Sequence, residues 1–240
     1  MTTWAKHVGL QNLEVSQATQ ILESCVNVRD LAIWILVGPH EPLRNIIRNL
    51  PVHRLHVDIE RFFSEDPTEG PKLDSFNFDH IPFMNLTHLH ILLLPIVPWV
   101  QWKSIALLPR LSHLAIDQWH PEFTRRVLEE RKSLNLLVIV SSVNGICPSY
   151  HNSELRTILQ RDPRVAELIE SQWIASWERG ALTGNDIWTR AEAARAGRRE
   201  ERRQRRRGVV PVLEDFCDLV IYPPALPYND LDYALEPEYN

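Results

Sequence analysis

Five histidines recur in short apolar contexts where strand pairing would bring them together: His53, His56, His88, His90 and His113. Imidazole is the commonest metal ligand and the usual general base near neutral pH. Adjacent strands lie about 4.8 Å apart, so such side chains can meet across a sheet. A zinc centre needs three or four ligands in fixed geometry. No carboxylate is expected in the same columns, so the sequence predicts a polar binding face without metal. Other chemistry is poorly supplied. There is no Gly-x-Ser-x-Gly elbow for a serine nucleophile. Cys147 and His151 stand four apart in a proline-containing loop with no third orienting group. Glu129 and Glu130 sit among Arg125, Arg126, Arg131 and Lys132, the pattern of a solvated helix face. Only 8 glycines occur in 240 residues, and no GxGxxG or Walker-type loop is present. The expectation is a non-enzymatic protein with no cofactor.

The elements that must position these histidines follow from a repeated hexad, apolar-x-x-apolar-x-apolar. It fits Leu10/Leu13/Val15, Val28/Leu31/Ile33, Val52/Leu55/Val57, Leu86/Leu89/Ile91, Leu111/Leu114/Ile116 and Leu134/Leu137/Ile139. A weaker match is Leu73/Phe76/Phe78, just after the insertion "SEDPTEGPK". First positions at 10, 28, 52, 86, 111 and 134 fall mostly in or near the roughly 20–29-residue period of leucine-rich repeats. The last two apolar residues of each hexad share one face of a strand. Helical spacing fills the intervals. Ser16 is a candidate N-cap, Leu43, Ile46, Ile47 and Leu50 form one stripe, and Pro121 suits a first helical turn. One strand and one helix per unit give parallel strands. One unit alone cannot offset its backbone entropy with a few aliphatics, so units must stack. A doubly wound α/β sheet is the rival, but would carry more continuous apolar strands and a glycine-rich turn.

On these hexads the chain resembles leucine-rich-repeat proteins, and in particular fungal, basidiomycete-type F-box/LRR proteins. A second stretch, "DPRVAELIESQWIASWERGALTGNDIWTRAEA", resembles the C-terminal region of that set through Asp162/Arg164, Trp177/Glu178/Gly180, Asp186/Trp188 and Ala191/Glu192. Two departures stand out. The family's Asn or Cys, eight residues after the first apolar position, is replaced by Ala18, Leu36, Glu60, Leu94, Trp119 and Ser142. No F-box is visible, so a ubiquitin-ligase scaffold is implied as a partner only if a longer parent chain carries one. The resemblance implies a protein ligand bound on a concave sheet face. That face would present Arg29, Asp30, His53, Arg54, His56, His88, His90 and His113.

The expected architecture is α/β: an irregular solenoid with a curved parallel sheet over 1–150. A cap over 151–190 would use Trp173, Trp177 and Trp188 to cover the last repeat's open end; at the first, either Trp4 and its neighbours cover the edge, or the chain is a truncated product, or another chain packs there. A basic helix over 191–208 and an acidic, Tyr- and Pro-rich tail over 209–240 complete the chain. The basic patch is Arg198, Arg199, Arg202, Arg203, Arg205, Arg206 and Arg207, in which alanine and arginine favour a helix. A nuclear or nucleic-acid-associated factor using this patch is the alternative function. Glu192, Glu200 and Glu201 interrupt the run, no aromatic interleaves it, and the chain's formal charge is −5, all of which disfavour nucleic acid. The three cysteines form no CxxC pair and suit a reduced interior. With no apolar run long enough to span a membrane and no visible secretory signal, a cytoplasmic or nuclear protein is expected.

Overall fold

The computed structural model describes residues 5–63, 76, 78, 83–141, 152–170 and 172–207. The expectations for Trp4, the 64–72 insertion, Cys147, His151 and the 209–240 tail lie outside the described residues.

The described chain alternates strand and helix: β1 (His7–Glu14), α1 (Val15–Ser24), β2 (Asp30–Val37), α2 (Glu41–Ile47), β3 (Arg54–Asp58), α3 (Ile59–Phe63), β4 (His88–Leu92), α4 (Trp99–Trp102) and a 3-10 turn (Lys103–Leu107). There follow β5 (His113–Asp117), α5 (Pro121–Glu130), β6 (Leu136–Ser141), α6 (Ser153–Arg161), β7 (Val165–Ile169), α7 (Trp173–Thr183) and α8 (Ile187–Arg206). All seven strands join one parallel sheet in chain order, β1 to β7. The order never reverses, so the doubly wound arrangement, which needs a switch point, is excluded.

Register places the hexads in line. Leu31, Leu55, Leu89, Leu114, Leu137 and Val165 form one row, and Ile33, Val57, Ile91, Ile116 and Ile139 the next. Both rows are buried in one continuous core with Ala18 and Leu22 of α1, Leu43 and Ile47 of α2, Phe123 and Val127 of α5, and Leu155 of α6. We call this the outer face. The units also agree at the backbone. Lys6, Arg29, His53, Thr87 and Ser112 each offer a carbonyl that accepts two successive N–H groups from the following unit. Four residues take a left-handed φ at one recurrent place, two positions after the second of these rows: Asn12, Ile35, Leu93 and Gln118, at 53°, 51°, 51° and 70°. At Leu93 and Gln118 the strand has just ended, whereas at Asn12 and Ile35 the paired strands β1 and β2 kink together and pairing resumes at Leu13 and Leu36. Ile35 takes its φ at a steric cost, since a β-branched side chain seldom adopts this conformation.

Several expectations are corrected. Val8 and Leu10, not Leu13 and Val15, align with Leu31 and Ile33, so the first rung begins five residues earlier. "HVGLQNLEV" offers two apolar pairs out of phase with each other, Val8/Leu10 and Leu13/Val15, and pairing with β2 selects the first. Val15 opens α1, whose N-cap is Glu14, with Gln17 Oε1 accepting from Glu14 N at 3.1 Å; Ser16 lies within the first turn. Phe76 and Phe78 are buried in the outer core rather than paired as a strand. The final unit adds a seventh strand, β7, to the same sheet. The arginine-rich helix begins at Ile187, not at 191.

The largest correction concerns the other face of the sheet. Trp173, Trp177 and Trp188 do not close the end of the array. They lie on the inner face, where α7 and α8 form a third layer. Trp34, Ala32 and Leu92 pack with Trp173, Ile174 and Trp177. Ala115, Leu136, Val138, Val140 and Ala166 pack with Ile187, Trp188 and Ala191. Strands β2, "DLAIWILV", and β6, "LLVIVS", are accordingly apolar on both faces.

A tight turn joins the two inner helices. Gly184 caps α7 with φ 76°, and Asp186 caps α8 by accepting from Thr189 N at 2.8 Å. Gly180 faces this turn so closely that an added Cβ would stand 2.8 Å from the Cα of Asp186. Gly180→Ala is therefore expected to cost about 1–3 kcal/mol by overpacking. Gly197→Ala, where an added Cβ meets nothing within 4 Å, is expected to gain up to about 1 kcal/mol. Urea denaturation of the two variants checks the contrast.

Candidate functional site

The inner face carries the predicted histidines in two columns set by strand register. Asp30, Arg54, His88 and His113 form the first, and Ala32, His56, His90 and Ala115 the second. The sequence expectation that no carboxylate shares these columns is wrong. Asp30 stands beside Arg54 in the first column, and Asp117 reaches the second from the end of β5.

A line of polar side chains crosses five strands. His7 Nδ1 meets Asp30 Oδ2 at 3.3 Å, and Asp30 Oδ1 lies 3.7 Å from His56 Nε2. His56 Nδ1 meets His90 Nδ1 at 3.2 Å, and His90 Nε2 meets Asp117 Oδ1 at 2.9 Å. This line fixes the tautomers. A carboxylate only accepts, so His90 donates from Nε2 and keeps a lone pair on Nδ1. His56 must then donate from Nδ1.

The first column is held by hydroxyls. Thr87 Oγ1 donates to His53 O at 3.1 Å, and Ser112 Oγ donates to Thr87 O at 3.1 Å. Each hydroxyl has spent its hydrogen, so His88 and His113 donate to them from Nδ1, both at 2.8 Å. The rings of His88 and His113 stack at 4.2 Å and 13°. Their remaining Nε2 atoms face inward, and that of His113 lies 3.3 Å from Glu192 Oε1 on α8.

Burial governs the charges here. It raises the Asp30 carboxyl, against the opposing pull of His7, Arg54 and Trp177. It lowers His56 well below the ordinary histidine range, helped by His90, Arg54 and His88. It lowers His88 to about 3, helped by His113 and Arg54. His113 is lowered by burial too, although Glu192 opposes the shift.

Helices α7 and α8 bind this face through matched contacts. Arg54 Nη1 donates to Asp186 Oδ2 at 2.6 Å, so one carboxylate caps α8 and anchors it to β3. Trp177 Nε1 donates to Asp30 Oδ1 at 3.4 Å. The Trp177 ring needs a glycine beneath it, because a Cβ on Gly9 would approach it to 2.8 Å. Trp188 lies 5.0 Å from His88, 6.0 Å from His56 and 6.1 Å from His113, ring to ring. Arg190 ties α8 to the end of β7 and to α7, donating to Glu170 Oε2 and Ser176 Oγ, both at 2.6 Å. Burial works against the Glu170 carboxylate, but its bonds from Ser176 and Arg190 more than offset this and hold its pKa below the usual range.

No protein-family model, curated protein or solved structure matches this chain.

Of the eight residues assigned to an open binding face, His56, His90 and Asp30 are buried, and Arg54, His88 and His113 are half-buried against α7 and α8. Arg29 is exposed, and His53 points toward Asn85 O at 3.2 Å. The face is thus occupied rather than open. Reach decides this: the short connection after β7 returns the chain across the sheet, where apolar β6 and Trp34 demand a cover. Among the described residues, no group of three or more His, Cys, Asp or Glu side chains is arranged to hold a metal ion.

The basic patch also divides. Arg198 donates to Val165 O, and Arg202 donates to Leu159 O at 2.8 Å. Arg205 pairs with Glu201 at 2.5 Å. Arg199, Arg203, Arg206 and Arg207 are exposed. Two of the seven patch arginines, Arg198 and Arg202, thus fasten α8 to the start of β7 and to α6. Among the described residues, no helix is long and apolar enough to cross a membrane.

Proposed function

We propose that this chain is a non-enzymatic protein-binding module, built as a leucine-rich-repeat-like ladder. Its recognition surface is the inner face of the sheet, and α7 and α8 occupy that surface in the free protein. The reading keeps the resemblance to the substrate-recognition repeats of F-box/LRR proteins and adds an intramolecular occupant. One observation carries it: the polar columns of the face meet side chains of α7 and α8 through specific contacts, led by Arg54–Asp186 at 2.6 Å. A face that holds an amphipathic helix pair through Arg54, His113 and Asp30 has the chemistry to hold another acidic, tryptophan-bearing helix. The chain-order sheet, the aligned hexads and the repeated two-bond carbonyls support the ladder. Against catalysis stands the burial of His56 and His90 beneath Trp177 and Trp188, with three of their four ring nitrogens within 3.2 Å of a neighbour.

The test uses a labelled peptide of residues 172–207 and the full chain. In the variant Asp186→Arg/Glu192→Arg, the chain's own helix pair is repelled by Arg54 while the face stays intact. The peptide is expected to bind this variant and not the wild type. Adding Arg54→Glu to the variant is expected to abolish binding. Absence of peptide binding to a folded variant whose α8 amides exchange freely would overturn the proposal.

A further inference from the structure

The inner layer closes over histidines that accept protons badly. His88 and His113 are stacked face to face at 4.2 Å, each with Nδ1 committed to a hydroxyl. Their only proton-accepting atoms are the two Nε2 atoms beneath Trp188. The Nε2 of His113 has Glu192 at 3.3 Å to share a first proton. A second proton, on His88, would place two imidazolium rings in contact beside the guanidinium of Arg54. In the second column, His56 already donates from Nδ1, and its Nε2 lies 3.7 Å from Asp30, too far for a good hydrogen bond.

Every layer around these rings bears on the balance. From the sheet come His7 on β1, Asp30 on β2, Arg54 on β3, His90 on β4 and Asp117 on β5. From α8 come Asp186 at its cap, Glu192 and Arg195; from α7 the contact is the Trp177 indole. Asp186 is bonded to Arg54, and Glu192 is also bonded to Arg195 at 2.5 Å. Asp117 is bonded to His90. Asp30 faces His7 and His56, so among the described residues no carboxylate is paired with His88.

We propose that the histidines beneath Trp188 form a proton-operated latch: acidification releases α7 and α8 from the inner face while the sheet stays folded. Release hydrates His88 and His56, separates them from Trp188, and lets each take a proton. Among the described residues the outer layer holds one such buried histidine, His40, which burial, Arg44 and Arg61 lower to about 4, whereas His56, His88 and His113 lie together under the inner helices, so protons act more strongly on the inner layer. The biological consequence, exposure of a docking face, rests on the function proposed above, but the release itself needs no partner to be observed.

The sign follows from the direction of the shifts. A histidine held neutral in the closed state adds nothing above its ordinary value near 6.5. Below that value the open state binds a proton that the closed state refuses, so closure weakens as pH falls. With a closed-state value of about 3 for His88 and an ordinary value near 6.5 after release, this group alone shifts the opening equilibrium by up to about 25-fold between pH 7 and pH 5. His56, lowered in the same direction, adds to the shift.

Amide hydrogen exchange of the full chain at pH 7 and pH 5, corrected for intrinsic exchange, tests this. Residues of α7 and α8 are expected to lose protection on the order of 25-fold, while β3, β4 and β5 keep theirs. In His88→Gln the pH response of α8 is expected to shrink, with exchange at pH 7 reporting whether the variant is folded. His56→Gln provides the second variant should His88→Gln fail that check. Equal protection of α8 at both pH values overturns the latch. So does joint loss of strands and α8, which would mean global acid unfolding. Failure of the peptide test at pH 7 bears on the docking face alone and leaves this measurement standing.

Discussion

Trp188→Ala is expected to detach α8 from the sheet and to cost about 3–5 kcal/mol, the range for removing a buried tryptophan. The indole is 3% exposed and fills the space between the histidine columns and the apolar patch of Ala115, Leu136 and Val138. Its truncation removes contact with both. The effect should be local. Exchange protection of α7 and α8 is expected to fall by at least about a hundredfold, as 3 kcal/mol implies, while the strands remain protected. The indole N–H of Trp188 has no hydrogen-bond acceptor among the described residues, so Trp188→Phe should retain most of the stability. Uniform loss of protection across strands and helices in Trp188→Ala would show that the inner helices are not a separable layer.

Trp102→Ala is expected to be as costly, about 3–5 kcal/mol, but global. Trp102 is fully buried in the outer core, 4.4 Å from the ring of Phe76 and 5.1 Å from that of Phe123. It joins the crossover between β4 and β5 to α5 in the cluster that runs under every strand. A loss of this size is a large part of the 5–15 kcal/mol that holds an ordinary domain together. All strands should therefore lose protection together, with the urea midpoint shifted sharply down. A midpoint near that of the wild type would sink the claim that this ring is central to the core. The two tryptophan variants thus separate an outer core from an inner cover by the reach of their effects.

The outer core was legible because its signal is periodic and local. Leu31/Ile33, Leu55/Val57, Leu89/Ile91, Leu114/Ile116 and Leu137/Ile139 each repeat one spacing, and parallel pairing without register slips turns that spacing into rows. The same reading placed Asp30, Arg54, His56, His88, His90 and His113 correctly on the opposite face. It failed on what covers that face. The warning was present in "LAIWILV" and "LLVIV", which lack the alternation of a half-exposed strand, and in Gly9, the only residue small enough to admit the Trp177 ring. The hexad explains only those alternate positions of each strand that face the outer core and says nothing about the ones between them.

From β2 to β6, the order of the strands and the face each side chain takes follow from the sequence by itself. Each depends on residues within about one repeat of each other, where spacing alone decides direction. The occupant of the inner face was decided only by tertiary structure. Arg54 meets Asp186, Asp30 meets Trp177, and His113 meets Glu192 across separations far longer than any repeat. No periodicity links such partners. They come together because the apolar inner surface of β2 and β6 must leave water, and the helices that follow β7 are the segments able to cover it.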